Sequence, residues 1–176
     1  MRVILLVILS GALALSACTT ETVVADESPT KVDLQQVLAT GEVTPVTGIT
    51  PAGQPDAAAL EVFAENGYAA VIDLRTVGED RGLDEQAVVE GLGMQYVAMP
   101  IGYEGITFEN AGALDKLLAE YDEPVLLHCG SSNRVGALLA LRAALHGASD
   151  AEALQIGRRA GLSSLEPSVR QALSEK

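Results

Sequence analysis

The stretch Pro124-Val125-Leu126-Leu127-His128-Cys129-Gly130-Ser131-Ser132-Asn133-Arg134-Val135-Gly136 most constrains the fold of this chain. An apolar run of strand length leads into His128 and Cys129, four small or polar residues follow, and Arg134 opens a segment with helical apolar spacing. A strand, a tight loop and a helix start in immediate succession form the unit from which parallel α/β sheets are built. The same unit carries chemistry. Backbone N–H groups of a short loop at a helix N-terminus converge on one point and attract anions. That field favours a thiolate over a thiol, and an arginine closing the loop grips an oxyanion with two parallel N–H donors. The segment therefore reads as an anion cradle, Gly130, Ser131, Ser132, Asn133 and Arg134, with Cys129 as a nucleophile at its floor.

The residues before it alternate between strand-like and helical patterns. Val46 to Ile49 reads as a weak first strand, and Asp56 opens a helix through Leu60 and Phe63 that stops at Asn66-Gly67. Ala69 to Leu74 is a buried strand, Asp84 to Leu92 a helix ending at Gly93, and Met94 to Ala98 a third strand. Thr107 caps a helix running to Tyr121, and Val125 to His128 is the fourth strand. Beyond the loop the chain turns helical: Arg134 to Leu145, a helix opened by the capping box Ser149 to Glu152, and a last one near Pro167. This alternation predicts an α/β three-layer sandwich on a mainly parallel sheet of four to five strands. Ligands then belong at the carboxyl ends of the strands, where the Cys129 loop falls. Two histidines and one free cysteine are too few for a metal site, and no cofactor is expected.

The N-terminus has a separate purpose. Arg2, the apolar stretch Val3 to Leu15 and the small residues that follow describe an export signal over residues 1–17. Its ending, Leu15-Ser16-Ala17-Cys18, resembles the lipobox of bacterial lipoproteins, which implies a lipidated Cys18 as the first mature residue. Thr19, standing where an aspartate would favour inner-membrane retention, points to the periplasmic face of the outer membrane. Residues 18–32 read as lipidated terminus and tether, and 33–176 as the folded domain. Loss of residues 1–17 removes one arginine and brings the formal charge from −13 to −14. So acidic a surface argues against nucleic acid and against anionic lipid as partners, leaving acyl chains to provide the membrane anchor. With Cys18 acylated, Cys129 is the only thiol left, so no intramolecular disulfide forms.

Four segments occur in a telling order: Ala52-Gly53-Gln54-Pro55, then Val71-Ile72-Asp73-Leu74-Arg75 with Glu79, then Leu92 to Tyr96 leading to Pro100, and finally His128 to Gly136. The set resembles the phosphatase-like domain family named after β-lactamase-hydrolase-like proteins, a bacterial branch of the cysteine-dependent tyrosine and dual-specificity phosphatases. The similarity covers roughly residues 44–165. It implies a tyrosine-phosphatase-like fold and a phosphorylated substrate, of a class the motifs do not name. Carried over by position, Cys129 is the nucleophile that forms a cysteinyl-phosphate, and Arg134 with the amides of Gly130 to Arg134 binds the phosphoryl oxygens. His128 braces the loop from behind, with Asp73 beside it as loop support.

Three departures from that pattern matter. Tyrosine phosphatases have five residues between cysteine and arginine, and this chain has four, which removes one amide and tightens the ring. Val135 stands where many have a hydroxyl residue. No aspartate lies between Asp84 and Asp115 to protonate the leaving group, so Glu104 is the substitute acid, with Glu109 next. The short loop also resembles that of rhodanese-like sulfurtransferases, which implies a Cys129 persulfide as an alternative chemistry. A third reading is a non-catalytic anion-binding module. Arg134 has a structural alternative as ion-pair partner of Asp73 or Glu79. His146, Arg158 and Arg159 read as solvated helix residues.

Overall fold

The computed structural model describes residues 28–176. The export signal, Cys18 and the tether up to residue 27 lie outside the described residues. Four strands, β1 (Ile49–Ala52), β2 (Ala70–Asp73), β3 (Gln95–Ala98) and β4 (Val125–His128), pair in parallel in the order β1-β4-β2-β3. Helices α1 (Leu34–Thr40), α2 (Ala57–Glu65) and α3 (Glu85–Gly91) cover one face of the sheet. Helices α4 (Phe108–Leu118), α5 (Asn133–Leu145), α6 (Asp150–Arg159) and α7 (Glu166–Ser174) cover the other. The three-layer α/β sandwich expected from the alternation is the architecture found.

Strand periodicity divides the core in two. Val125, Leu127, Ile72 and Leu74 pack with the α4–α7 layer, whereas Leu126 and Val71 pack with Leu60, Phe63 and Val89 of the α1–α3 layer. Each such buried side chain contributes about 1.5–3 kcal/mol. The same period places His128 and Cys129 back to back. Cys129 belongs to the α5 side, and His128 faces α3.

The caps read from the sequence are formed. Asp56, Asp84, Thr107 and Ser149 each accept from the backbone of the helix they open, and Ser149 with Glu152 closes a reciprocal capping box. Helix α4 ends at Leu118, one turn before Tyr121. Two corrections concern the start of the domain. The first strand lies three residues later than Val46 suggests, and Val46 keeps only a single antiparallel bridge to Ile49. Pro51 is accommodated because β1 is an edge strand, and its carbonyl accepts from Val32 N at 3.0 Å. Helix α1, capped by Asp33, was not anticipated: seven residues give too few apolar positions to declare a period. Among the described residues no helix is long and apolar enough to cross a membrane.

Helix α5 passes through the middle of its layer, buried along most of its length. It meets α6 at a glycine pair. A Cβ at Gly136 would stand 2.2 Å from Leu162 N and 2.5 Å from Gly157 O, both backbone atoms that cannot swing away. Gly136→Ala should therefore destabilise the protein by about 2–3 kcal/mol, read as a lower urea midpoint at unchanged slope. A midpoint equal to wild type would mean that the α5–α6 crossing is looser than this contact requires.

Candidate active site

The parallel register sets the carboxyl ends of the strands level. Ala52, His128, Asp73 and Ala98 lie in one row across the sheet. The chain leaves that row as four loops: Gly53-Gln54 after β1, Leu74 to Arg81 after β2, Met99 to Gly102 after β3, and Cys129 to Ser132 after β4. Leu74 N donates to His128 O at 2.9 Å and Gln54 N to Gly130 O at 3.3 Å, which fastens the last loop to both neighbours.

Cys129 is a free thiol, 1 % exposed, at the base of this loop. The loop runs into α5 through Ser132, whose φ of 72° is left-handed and unusual for a residue with a side chain. Such a conformation costs about 1–2 kcal/mol. It is held by the Ser132 hydroxyl, which donates to Ala160 O at 2.7 Å in a fully buried contact. Asn133 fixes the next position, accepting from Ser163 N and donating to Ser164 Oγ, both at 2.8 Å. Held this way, the amides from Gly130 to Arg134 find no acceptor in the protein among the described residues. They stand at the N-terminus of a thirteen-residue helix.

Arg134 faces this loop with three of its five N–H donors already engaged. Nη1 donates to Glu79 Oε1 at 2.6 Å and to Ile101 O at 3.1 Å, and Nη2 donates to Glu79 Oε2 at 2.7 Å. This end-on fork leaves the Nε–Nη2 edge for the loop side, where Nη2 passes close to Gly130. The Glu79 contact raises the guanidinium pKa well above the ordinary arginine range against the effect of burial, and the Cys129 sulfur adds to it. Of the two carboxylates that the sequence offered as partners, Glu79 is the one used. The Glu79 carboxyl is held at about 2, mainly by Arg134, with the Thr76 N–H and hydroxyl assisting.

Behind the loop lies a second set of charges. His128 Nε2 is 2.9 Å from Glu85 Oε1 and 3.8 Å from Asp73 Oδ1, all three residues being buried. The Glu85 approach lies off the ring N–H direction, so the contact is more electrostatic than a directed hydrogen bond. Asp73 accepts from Arg75 N at 2.7 Å, Arg81 Nε at 2.6 Å and Tyr96 OH at 2.8 Å. Burial, together with that carboxylate, pushes the Tyr96 phenol up to about 12, so it remains a donor. Asp73, Glu85 and His128 bring donor atoms within 4.8 Å of one another, close enough to suggest metal ligands. Arg81 reaches both carboxylates, at 2.6 and 3.7 Å, and supplies the positive charge that a metal would otherwise bring.

The structure thus brings together Cys129, Gly130 to Arg134, His128 and Asp73. Glu104 stands apart. It sits in a one-turn 3₁₀ segment, Tyr103–Gly105, exposed, and its carboxylate makes no hydrogen bond or ion pair among the described residues. It lines an open groove of about 360 Å³ with Phe108, Gln171 and Glu175, in which no cradle residue takes part. Its tie to the site is through Ile101, three residues earlier, whose carbonyl receives Arg134. Glu109 lies exposed in the first turn of α4. Sequence reasoning assigned nothing to Glu85, Arg81 or Arg75. Glu85 reads as an ordinary acid in a helix first turn, and only the register that brings His128 opposite α3 reveals its partner.

No family model matches the chain. A β-lactamase hydrolase-like protein of Agrobacterium fabrum is 31 % identical over 103 residues, 56 % of this chain and 24 % of that protein. The Xylella fastidiosa protein of the same name is 34 % identical over 99 residues, 54 % of this chain and 23 % of its own length. The chain therefore spans about a quarter of these relatives. Among solved structures, TpbA of P. aeruginosa superposes with a TM-score of 0.63 at 14 % identity, over 86 % of this chain and 92 % of that one. A candidate phosphatase of Neisseria meningitidis gives 0.61 at 22 % identity, over 73 % and 92 %. PTPMT1 gives 0.56 at 18 % identity, over 72 % and 87 %. The fold is tyrosine-phosphatase-like. The curated relatives carry the name on which the ordered motifs rested, so the resemblance of the sequence and that of the fold agree.

The Glu79–Arg134 pair has a measurable pH signature. The folded carboxyl titrates near 2 and the unfolded one near the ordinary 4.5, so the pair stabilises the fold fully above about pH 5. That contribution is lost as pH falls through 4.5 towards 2. Glu79→Gln should cost about 1–2 kcal/mol at neutral pH once solvent exposure of the carboxylate is allowed for, and the gap to wild type should close in acid. A gap that does not vary with pH in denaturant titrations would show that the pair is not the source.

Proposed function

We propose that this protein is a cysteine-dependent phosphatase that hydrolyses phosphomonoesters through a cysteinyl-phosphate at Cys129. One arrangement carries the reading: the amides of Gly130 to Arg134, without an acceptor among the described residues, stand at the N-terminus of α5 next to the buried Cys129, and Arg134 Nη2 passes close to Gly130. Three equatorial phosphoryl oxygens match such a ring of donors, which stabilises the charge that spreads over them in the transition state. Cys129 Sγ attacks phosphorus, the S–P bond forms, and the bond to the leaving oxygen breaks as that oxygen takes a proton. Water then attacks phosphorus, the S–P bond breaks, and inorganic phosphate leaves with the thiolate restored.

Glu104 is proposed as the proton donor, on a loop whose neighbouring carbonyl already touches Arg134. The two loops that reach Arg134 also carry Val77 and Tyr103, 93 % and 75 % exposed. A variant of TpbA has been solved with phosphotyrosine bound, over 86 % of this chain at 16 % identity, which makes an aryl ester a reasonable first substrate. For the whole protein we propose export and acylation at Cys18, which places the site at the periplasmic face of the outer membrane, with no nucleic-acid partner.

Two tests follow the two halves of this reading. Glu104→Gln should slow an alkyl phosphate by roughly 10²–10⁴-fold and p-nitrophenyl phosphate far less, because only the alkyl leaving group needs the proton. Arg134→Ala should slow both by about 10²–10³-fold. Equal losses in Glu104→Gln would assign that residue to loop support, and no loss would remove it from the chemistry. Address is tested on the membrane-fractionated protein, whose N-terminus should be Cys18 with acyl mass attached. A mature chain that begins elsewhere without acyl mass contradicts the anchor.

A further inference from the structure

We propose that Gln54 is a positioning residue that ties the two ends of the anion cradle together through its side-chain amide. The inference rests on the cradle reading given above and adds to it a residue with no assigned role. Gln54 lies two residues beyond Ala52, the end of β1 and the partner of His128, and its backbone N–H donates to Gly130 O at 3.3 Å. Its side chain then stands between two buried charges of opposite sign. Oε1 accepts from Arg75 Nη1, and Nε2 donates to Glu85 Oε2 at 3.2 Å and to Pro55 O at 3.1 Å.

Each of these partners leads to one end of the loop. Glu85, 1 % exposed, lies 2.9 Å from His128 Nε2 through its other oxygen, and His128 immediately precedes the nucleophile. Arg75, 8 % exposed, lies 3.4 Å from Glu79 Oε2 through its Nε, and Glu79 holds Arg134 by both oxygens. A continuous run of polar contacts therefore goes from His128 through Glu85, Gln54, Arg75 and Glu79 to Arg134. Gln54 is the one member that cannot carry a charge. A neutral planar amide suits this place because one end must accept from a guanidinium while the other donates to a carboxylate. A carboxylate at this position meets Arg75 but opposes Glu85. An apolar side chain of equal length meets neither.

The consequence is geometric. The cradle binds an oxyanion only if Arg134 and the amides aim at one point, and a displacement of about 1 Å at such a site costs of order 10²-fold. Arg134 is fixed from the β2 loop and the amides from the β4 loop. Gln54 touches the side chains that support both, Glu85 and Arg75, while Arg81 reaches Glu85 and the backbone carbonyls of Arg75 and Glu79.

The test uses protection of Cys129 from iodoacetamide by inorganic phosphate, measured on the folded full-length protein with circular dichroism as the control. Gln54→Met should weaken phosphate protection by about tenfold or more relative to wild type, the loss expected for hydrogen bonds to charged groups. Gln54→Glu should be weakened as much at pH 8 and should recover towards wild type at pH 5.5. At the lower pH a protonated carboxyl at position 54 donates to Glu85 in place of the lost amide hydrogen, with Arg75, Arg81, His128 and Asp73 as the other titratable or charged groups around it. Comparison with wild type at each pH removes the ionisation of phosphate itself. A Gln54→Met protein that binds phosphate within twofold of wild type overturns the inference. So does a Gln54→Glu deficit that stays constant with pH, and this second variant decides the matter should the methionine variant fail to fold. Wild-type protein that phosphate does not protect overturns the cradle reading itself, and the role of Gln54 with it.

Discussion

The end-on pairing of Glu79 with Arg134 is the contact on which the rest of the site depends. An arginine beside a thiol at a helix N-terminus could turn in several directions. Glu79 takes both terminal nitrogens, and the carbonyl of Ile101 takes a further hydrogen, so the guanidinium is pre-aimed before any ligand arrives. Only the loop-side edge is left for an anion. Pre-organisation of this kind lets the site stabilise charge without reorganising at the moment of reaction. The ion pair that the sequence offered as the mundane alternative to anion binding is formed, and in the function proposed above it aims Arg134 at the anion.

The second constraint is charge balance in an acidic protein. The chain carries a formal −13, yet the function proposed above requires its loop to receive a dianion. The loop amides, the α5 terminus and Arg134 act over a few ångströms, where they outweigh the diffuse surface charge screened by salt. Beneath the loop, Asp73 and Glu85 are matched by Arg81, and Glu79 by Arg134 and Arg75, so the acids nearest the site are each paired. Breaking one partner would leave a buried charge unmatched, which costs far more than the pair contributes.

Much of this was legible in the sequence, and the pattern of what was not is physical. Local signals carried the helices, because a cap such as Asp56 or Ser149 and its first turn lie within four residues of one another. The loop was legible because strand, thiol, small residues and arginine are consecutive. Strand β1 was displaced because Pro51 argues against a strand, and only its edge position removes the objection. The support network was invisible for a related reason. Gln54, Arg75, Glu79, Arg81, Glu85 and His128 come from separate loops, a helix and a strand end, and the parallel register alone brings them together. Motif residues such as Gln54 and Glu79 could be noted by resemblance, but their partners could not.

The central claim is that Cys129 carries the phosphoryl group during turnover. Rapid acid quench of the wild-type protein with an aryl phosphate, followed by peptide mass analysis, tests it directly. The account predicts phosphoryl mass on the peptide containing Cys129, absent in Cys129→Ser. Product release with that peptide unmodified, or a sulfur adduct on Cys129 after exposure to thiosulfate with no phosphoryl adduct from any ester, would contradict it.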